Sequence, residues 1–226
     1  MADESVREVH ADVLAQLETL QFAPDRPLLV SDADEVLFHF MTGFENWLLA
    51  NGFSFDWTGH GLANNVKDSR GAPVPQEKLH PMLLDFFAHS TELLEPVEHA
   101  AGALERLQGR AQILVLSNLP LAQAEARARA LARHGMPYPL VANIGSKGAT
   151  LRHLSQTVEA PVLFIDDLHR NHTSVRRDLP RAVNIHFVAN RRLAALMGKA
   201  PDCDHWADSW IEIEGFADAA LAKAGY

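Results

Sequence analysis

Residues 27–38 read PLLVSDADEVLF, and this stretch decides how the rest of the chain is interpreted. A short apolar run, residues 28–30, leads into two aspartates, Asp32 and Asp34, that are separated by one residue. If the run is a buried strand, side-chain alternation places both carboxylates on the same side. Carboxylates this close repel each other in apolar surroundings unless a proton or a cation lies between them. A divalent cation held by oxygen ligands at a strand end accounts for the pair, and a solvated Asp-x-Asp turn is the plain alternative.

Length and charge limit the classes of protein to which the chain can belong. A chain of 226 residues is long enough for one α/β domain with an insertion, or for two small domains. The net charge of −9 disfavours a nucleic-acid partner, because such a partner requires a basic face. A small anionic substrate remains compatible with this charge, since a few local cations and a metal can outweigh the overall field.

Cysteine content and hydropathy point to a cytoplasmic protein. Cys203 is the only cysteine, so the chain can form neither an internal disulfide nor a cysteine cluster for zinc. Residues 1–20 lack the apolar centre of a signal peptide, and no apolar run approaches the ~20 residues that cross a bilayer. We therefore expect a cytoplasmic location and no membrane partner.

The periodicity of apolar residues predicts an α/β fold. A helix is expected over residues 5–20, and from residue 97 onward helices alternate with strands. Such alternation implies parallel strands joined by right-handed crossovers and packed as a Rossmann-like three-layer sandwich. The strands are predicted at 28–32, 112–116, 138–144, 161–165 and 182–188, and the helices at 97–107, 121–134, 149–158, 171–179 and 191–197. Residues 210–224 form a terminal segment to which no element is assigned.

The segment between the first strand and residue 96 is too long for a structureless loop in a compact domain. Helices are predicted at 40–51 and 78–94, with a polar loop at 64–75. We therefore expect an α/β core made of residues 1–38 and 96–226, with a small helical cap, residues 39–95, inserted after strand 1.

Polar side chains follow two further predicted strands, and a lysine begins the helix that leads into the second of them. Because parallel strands end at the same edge of a sheet, these side chains are expected to meet Asp32 and Asp34 there. Each has an ordinary alternative by itself: a turn, a helix cap or a solvated lysine. Together at one edge they favour a functional site, and they are Ser117, Asn118, Lys147, Asp166, Asp167 and Asn171.

These residues resemble the motifs of the haloacid dehalogenase-like (HAD) superfamily. Residues 32–36, DADEV, are similar to its first motif, and Ser117 after an apolar strand is similar to its second. Lys147 is similar to the third motif, and Asp166, Asp167 and Asn171 follow the DDxxxN form of the fourth. The resemblance spans roughly residues 27–188.

The resemblance implies hydrolysis of a small phosphomonoester through an aspartyl-phosphate. Asp32 would be the nucleophile, and Asp34 would protonate the leaving oxygen and later deprotonate water. Ser117, Asn118 and Lys147 would bind the phosphoryl group.

The same resemblance implies Mg²⁺ as the cofactor. Its ligands would be a carboxylate oxygen of Asp32, the backbone carbonyl of Asp34 and the Asp167 carboxylate. Asp166 and Asn171 would orient Lys147 and the metal-bound waters without touching the substrate. The expected partner is a small phosphorylated metabolite.

Several features stay open in the sequence. Glu35 stands where many superfamily members have glycine, and we expect it to contribute mainly its backbone, although it could narrow the entrance. His39, His169 and His172 could face the substrate or be surface residues. Lys67 and Arg70 could meet a second anionic group. Aromatic residues could line a pocket or form the core of the cap: Phe38, Phe40, Phe44, Trp47, Phe53, Phe55 and Trp57.

Other functions compete with the phosphatase hypothesis. Dehalogenation needs no metal and is disfavoured by Asp34 and by the pair Asp166 and Asp167. A phosphotransferase would use the same aspartyl-phosphate, and a phosphate-binding or regulatory module would keep the fold without turnover. A response-regulator receiver domain also combines aspartates, a hydroxyl and a lysine. In that domain, however, the lysine comes last, whereas Lys147 precedes Asp166.

Overall fold

A computed structural model describes residues 8–226, and its central feature is a six-stranded parallel sheet of order β5-β4-β1-β6-β7-β8. A separate antiparallel pair, β2 and β3, lies in the inserted segment. The strands are β1 Leu28–Ser31, β2 Ser54–Phe55, β3 Val66–Lys67, β4 Gln112–Ser117, β5 Leu140–Ala142, β6 Val162–Asp166, β7 Val183–Phe187 and β8 His205–Ala207.

Helices cover both faces of this sheet, so the predicted α/β three-layer fold is confirmed. The described helices are α1 Ala11–Leu17, α2 Phe40–Ala50, α3 Gln76–Ser90, α4 Ala100–Leu107, α5 Ala124–Arg133, α6 Lys147–Leu154, α7 His169–Asp178, α8 Arg191–Met197 and α9 Trp210–Lys223. Within residues 8–226, no helix is both long and apolar enough to span a membrane.

Strand β1 lies at the centre of the sheet because it is apolar on both faces. All four of its residues are buried, and it pairs with β4 on one side and with β6 on the other. Its side chains alternate between two cores. Leu29 packs in the core that includes α4 and α9, whereas Leu28 and Val30 pack in the core that includes α1, α6 and α7.

The inserted segment consists of α2, the β2–β3 pair and α3. It is joined to the sheet by two adjacent connections that hydrogen-bond to each other. The His39 N–H donates to the Glu95 carbonyl at 3.0 Å, and the Val97 N–H donates to the Leu37 carbonyl at 2.9 Å. We call this pair of connections, residues 37–39 and 95–97, the neck. The division of the chain into a core and a cap at this point stays a prediction.

The structure differs from the prediction mainly in short elements. Strand β8 was not predicted, because its three residues form a half-exposed edge strand without an apolar run. The predicted loop 64–75 contains β3, whose two residues are too few for a periodic signal. Helix α6 begins at Lys147, earlier than predicted. The predicted N-terminal helix is observed from Ala11, and its first residues, 5–7, lie outside the described part of the chain.

Candidate active site

The carboxyl ends of the three adjacent strands β4, β1 and β6 meet at one edge of the sheet. Ser117 ends β4, Asp32 follows β1, and Asp166 ends β6, so their side chains are brought side by side. The order of the sheet reverses at β1, which has neighbours later in sequence on both sides. Open parallel sheets form their ligand-binding crevices at such a point.

Lys147 joins the carboxylates at this edge. Its side chain is fully buried, and its Nζ lies 2.9 Å from Asp32 Oδ1 and 2.7 Å from Asp166 Oδ2. Burial by itself would lower the pKa of Lys147, but Asp166 and Asp32 outweigh burial and raise that pKa. Lys147, which lies on a helix, is therefore held as a cation between Asp32, after β1, and Asp166, at the end of β6.

The helix that carries Lys147 approaches α7 very closely. A Cβ atom on Gly148 would lie 2.2 Å from the carbonyl oxygen of Ser174, so only glycine fits there without a backbone shift. The Gly148 N–H also donates to Ser174 Oγ at 3.1 Å. This contact sets the depth at which α6 lies and so places Lys147 within reach of both carboxylates.

Asp166 has partners for both of its carboxylate oxygens. Oδ2 pairs with Lys147, while Oδ1 accepts hydrogen bonds from Asn171 Nδ2 and from the Leu168 N–H, each at 2.8 Å. A carboxylate with this many donors serves to position its neighbours rather than to react. The orienting role of Asp166 and Asn171, which the resemblance implies, stays a prediction.

The carboxylate of Asp167 has no such partners. It is buried, yet within residues 8–226 it accepts no hydrogen bond and forms no ion pair. Burial raises its pKa well above the ordinary value, and the charges of Asp166, Asp32 and Glu35 add to the rise against the influence of Lys147. A buried carboxylate in this state requires a proton or a cation.

A divalent metal fits these residues. Carboxylate oxygens of Asp32, Asp166 and Asp167 lie within 4.8 Å of one another, and Asp166 is already engaged with Lys147. Asp32 uses Oδ1 for Lys147 and for the Ala33 N–H. Burial raises the pKa of Asp32 to about 7; Lys147 opposes the rise, and Asp166 and Asp34 reinforce it. A cation between Asp32 and Asp167 would favour both ionised carboxylates.

The predicted phosphate-binding residues lie beside this cluster. Ser117 is completely buried, and its hydroxyl has no hydrogen-bond partner among the described residues. The Asn118 side chain donates to the Gly145 carbonyl at 3.1 Å and also contacts Asn143, which sequence reasoning missed. Asn143 in turn accepts a hydrogen bond from Thr150 at 2.7 Å. The side chain of Asn118 thus braces the loop before Lys147.

Sequence reasoning also missed Arg127, which contacts Asp34. The Arg127 side chain on α5 is completely buried, and its Nη2 lies 2.7 Å from Asp34 Oδ1. The N–H groups do not point at the carboxylate, so the contact is an ion pair without hydrogen-bond geometry. The guanidinium also lies 5.0 Å from the centre of the Phe38 ring. Arg127 therefore holds the Asp34 side chain in place from helix α5.

Arg127 did leave a signal in the sequence. It lies three and four residues before Ala130 and Leu131, which are the other buried residues of α5. An arginine in the apolar stripe of a helix requires an internal partner. The same helix also carries Arg129 and Arg133 on its exposed side, and these conceal the position of Arg127 in the sequence.

Glu35 contributes more than its backbone, so that expectation is wrong. Its backbone has a φ of 60°, the region that glycine prefers, and its carboxylate is buried. Oε1 accepts from the Met41 N–H at 2.5 Å, and Oε2 accepts from the Asn190 N–H at 2.8 Å. Burial raises the pKa of Glu35, and these two N–H groups oppose the rise. Glu35 therefore ties the starts of α2 and α8 together.

None of the three singled-out histidines reaches the cluster as a ligand. His39 pairs with Glu98 at 3.3 Å, and His169 contacts the Gly198 carbonyl at 3.1 Å. His172 is completely buried, so it is not a surface residue, and its Nε2 contacts the Asp166 carbonyl at 3.0 Å. His186, which was not singled out, contacts the Asp167 carbonyl at 2.8 Å, and burial lowers its pKa to about 4.

A cavity of about 510 Å³ opens above the cluster. Its polar floor is formed by Asp32, Asp34, Asn118, Asp167 and Asn171. Of the inserted aromatic residues, Phe40 and Phe87 line this cavity, whereas Phe44 and Trp47 stack on each other and meet the Phe86 ring edge-on inside the insertion. Lys67 and Arg70 pair with Asp56 and Asp68 and do not line the cavity.

A larger cavity, about 750 Å³, lies at the opposite end of the sheet. It is lined by residues at the amino ends of β6 and β7, such as Pro161 and Val183, and by the end of α9. None of the floor residues lines it. Since ligands of parallel sheets bind at the carboxyl ends, we assign the site to the smaller cavity.

Comparison with known proteins finds similarity in three dimensions. No protein-family model matches the sequence, and no curated protein matches it significantly. A haloacid dehalogenase-like protein from Agrobacterium tumefaciens is 14% identical with a TM-score of 0.58, covering 86% of this chain and 98% of its own. A HAD family hydrolase from Deinococcus radiodurans, solved with phosphate and sodium, is 16% identical with a TM-score of 0.54, covering 88% and 98%. An L-2-haloacid dehalogenase is 12% identical with a TM-score of 0.55, covering 85% and 99%.

The fold of this chain is that of the HAD superfamily. The similarity extends over nearly the whole of each solved structure, and the resemblance inferred from the motifs is confirmed at the level of the fold. Because these structures include a dehalogenase and a hydrolase with bound phosphate, the fold by itself does not select the reaction.

Proposed function

We propose that the chain is a Mg²⁺-dependent phosphatase that hydrolyses a small phosphomonoester through an aspartyl-phosphate on Asp32. The observation that carries this proposal is the position of Lys147, 2.9 Å from Asp32 Oδ1 and 2.7 Å from Asp166 Oδ2. A buried cation next to a carboxylate nucleophile stabilises an approaching phosphoryl group that would otherwise be repelled.

In the first half of the reaction, a carboxylate oxygen of Asp32 attacks phosphorus and the bond to the leaving oxygen breaks. Asp34 acts as the general acid and gives a proton to that oxygen. In the second half, Asp34 takes a proton from water, whose oxygen attacks phosphorus and releases Asp32 and inorganic phosphate. Ser117 Oγ, free of other partners in the described chain, donates to a phosphoryl oxygen.

Mg²⁺, when bound, would reduce the repulsion between the phosphate and the carboxylates. Asp32 and Asp167 would hold it with their carboxylates, and Asp34 with its backbone carbonyl. The absence of any partner for the buried Asp167 carboxylate within residues 8–226 supports this choice of ligands.

Phosphate release from a panel of phosphorylated metabolites, with Mg²⁺ and with a chelator, tests the proposal. We expect Mg²⁺-dependent release that falls by about 10⁴-fold or more in Asp32→Asn, because the nucleophile is lost. Asp85→Asn makes the same chemical change on an exposed face of α3 and should leave turnover unchanged. Wild-type activity in folded Asp32→Asn would rule out the assigned nucleophile.

The same panel distinguishes the alternatives. A phosphotransferase would release phosphate slowly in water and faster when an alcohol acceptor is added. A regulatory module would bind phosphate without turnover. Halide release from a haloacid in the presence of chelator would instead identify a dehalogenase.

A further inference from the structure

The cavity above the polar floor has an apolar wall. We define this wall by six lining residues: Phe40, Leu62, Leu83, Phe87, Leu193 and Met197. Several of them, such as Leu62, Leu83 and Met197, are only partly buried, so apolar surface faces the space next to Asp32. Apolar surface that is exposed inside a cavity favours a ligand that removes it from water.

The wall is a single surface although it comes from two parts of the chain. The inserted segment supplies four of its residues and α8 supplies the other two. Two contacts hold these parts together. Arg192 on α8 pairs with Glu45 on α2 at 2.6 Å and stacks 4.1 Å from the Trp57 ring, and the Glu35 carboxylate accepts N–H groups at the start of both helices.

Few polar groups above the floor are free to bind a leaving group. Glu35 lines the cavity, but each of its carboxylate oxygens already accepts a backbone N–H. His60 and Arg170 also line it, and both are exposed to solvent, which already hydrates their polar groups. A group rich in hydroxyls would lose its hydrogen bonds to water against this wall without gaining replacements.

Provided that the proposed phosphatase function holds, we infer that the substrate is a monophosphate ester of an apolar alcohol rather than of a sugar or another polyol. The phosphoryl group lies on the polar floor at Asp32, and the organic group lies against the apolar wall. A cavity of about 510 Å³ is within the range that encloses drug-sized ligands, so the organic group has room for several carbon atoms.

A homologous series of n-alkyl phosphates, from ethyl to octyl, tests this inference because the leaving oxygen is nearly the same throughout. We expect kcat/KM to rise about threefold to fourfold per added methylene over the first members, as apolar burial predicts. Glucose 6-phosphate, whose leaving oxygen is also primary, should be hydrolysed less efficiently than hexyl phosphate. If kcat/KM stayed constant along the series, or if glucose 6-phosphate were hydrolysed more efficiently than hexyl phosphate, the inference would be overturned.

Variants of α3 locate the effect on the wall. Leu83→Asn replaces a wall residue with a polar one and should lower the ratio of hexyl to ethyl phosphate kcat/KM by about tenfold. Leu84→Asn changes the next residue, which is exposed and does not line the cavity, so this ratio should stay unchanged. Equal ratios in both variants would place the organic group elsewhere and contradict the inference.

Binding of n-alkyl phosphonates, which cannot be hydrolysed, separates this inference from the proposed function. Calorimetric affinity in the presence of Mg²⁺ should increase with chain length by a similar factor per methylene. If affinity rises with chain length while no ester is hydrolysed, the phosphatase proposal fails and the specificity of the cavity stands. If esters are hydrolysed while neither the affinity nor kcat/KM changes with chain length, the phosphatase proposal stands and this inference fails.

Discussion

The floor and the wall of one cavity are built in different ways. The floor is held in place by directional polar contacts: the buried Lys147 contacts the carboxylates of Asp32 and Asp166, and Asp166 also accepts hydrogen bonds from Asn171 and from the Leu168 N–H. The wall consists of apolar side chains on helices and loops, which meet by packing, as the Phe40 and Phe87 rings do with their centres 5.7 Å apart. A rigid sheet thus supports the chemistry, while the surface that would select the substrate can change one side chain at a time.

Loss of Lys147 is expected to have the largest effect on the floor. Lys147→Met keeps the length of the side chain but leaves buried Asp32 and Asp166 without their cation. The free energy of unfolding should fall by about 3–5 kcal/mol, and turnover of every ester should be lost together. Chemical denaturation with activity measurements checks this, and Lys223→Met, on the exposed end of α9, is the control. If Lys147→Met lost activity toward one ester and kept it toward the others, Lys147 would contribute to the choice of substrate and not to the chemical step.

Loss of Asp167 should separate stability from metal binding. At Mg²⁺ concentrations about 100 times the dissociation constant, the metal should stabilise the wild type by about 2.7 kcal/mol and Asp167→Asn hardly at all. Without metal, Asp167→Asn should be at least as stable as the wild type, because a buried charge without a partner is removed.

The sign of the pH dependence follows from the raised pKa of Asp167. A carboxyl group whose pKa is raised in the folded state destabilises the protein at high pH, and this penalty disappears as the group takes up its proton. The metal-free advantage of Asp167→Asn should therefore shrink as the pH falls through the raised pKa of Asp167 towards about 4, the ordinary pKa of an aspartate. Thermal unfolding across this range measures it, and an advantage that grows on acidification would contradict the assignment.

The buried Arg127 side chain supports the floor through its contact with Asp34, and its loss should lower the rate of turnover. Arg127→Met should lower kcat by about 10- to 100-fold with little change in KM, because a displaced Asp34 carboxyl transfers its proton poorly. The loss should nearly vanish in an Asp34→Asn background, since the two residues act as one unit. Arg133→Met, an exposed position on the same helix, is the control. Additive losses would show that Arg127 acts independently of Asp34.

Glu35 lies where the floor meets the wall, and its effect should be the smallest of these. Glu35→Gln leaves one acceptor for two N–H donors and should reduce the free energy of unfolding by about 1.5 kcal/mol. Amide exchange at Met41 and Asn190 should become faster, while exchange at Ser31 in the sheet stays the same. Glu77→Gln, in the exposed first turn of α3, is the control. If amide exchange at Met41 and Asn190 stayed unchanged, Glu35 would not be the residue that joins the starts of α2 and α8.

The floor could be predicted from the sequence because its residues follow apolar strands directly. A strand end fixes both the position and the direction of a side chain such as Asp32 or Ser117, so local sequence already implies where they meet. Lys147 was included because its order relative to those strands matches the motifs. Most of the sheet was predicted for the same reason, since buried parallel strands are nearly continuous apolar runs.

The wall and the supports of the floor could not be predicted in this way. Leu83 lines the cavity and Phe86 fills the insertion, yet both are apolar residues on one helix and look alike in sequence. The role of Glu35 depends on Asn190, which is 155 residues away in the chain. Arg127 meets Asp34 only because α5 packs beside the first motif. Such contacts arise from tertiary packing, which single-sequence periodicity does not contain.

The neck has a consequence for the length of the chain. Because residues 37–39 and 95–97 hydrogen-bond side by side, the insertion leaves and rejoins the sheet at one place. The entropy of closing that loop grows only with the logarithm of its length, and a doubling costs about 0.6 kcal/mol. Residues can therefore be gained or lost between these connections while the register of β1 against β4 and β6 stays intact. A deletion of a single residue inside β1 would instead shift its register by one, so that each of its side chains would point to the opposite face of the sheet.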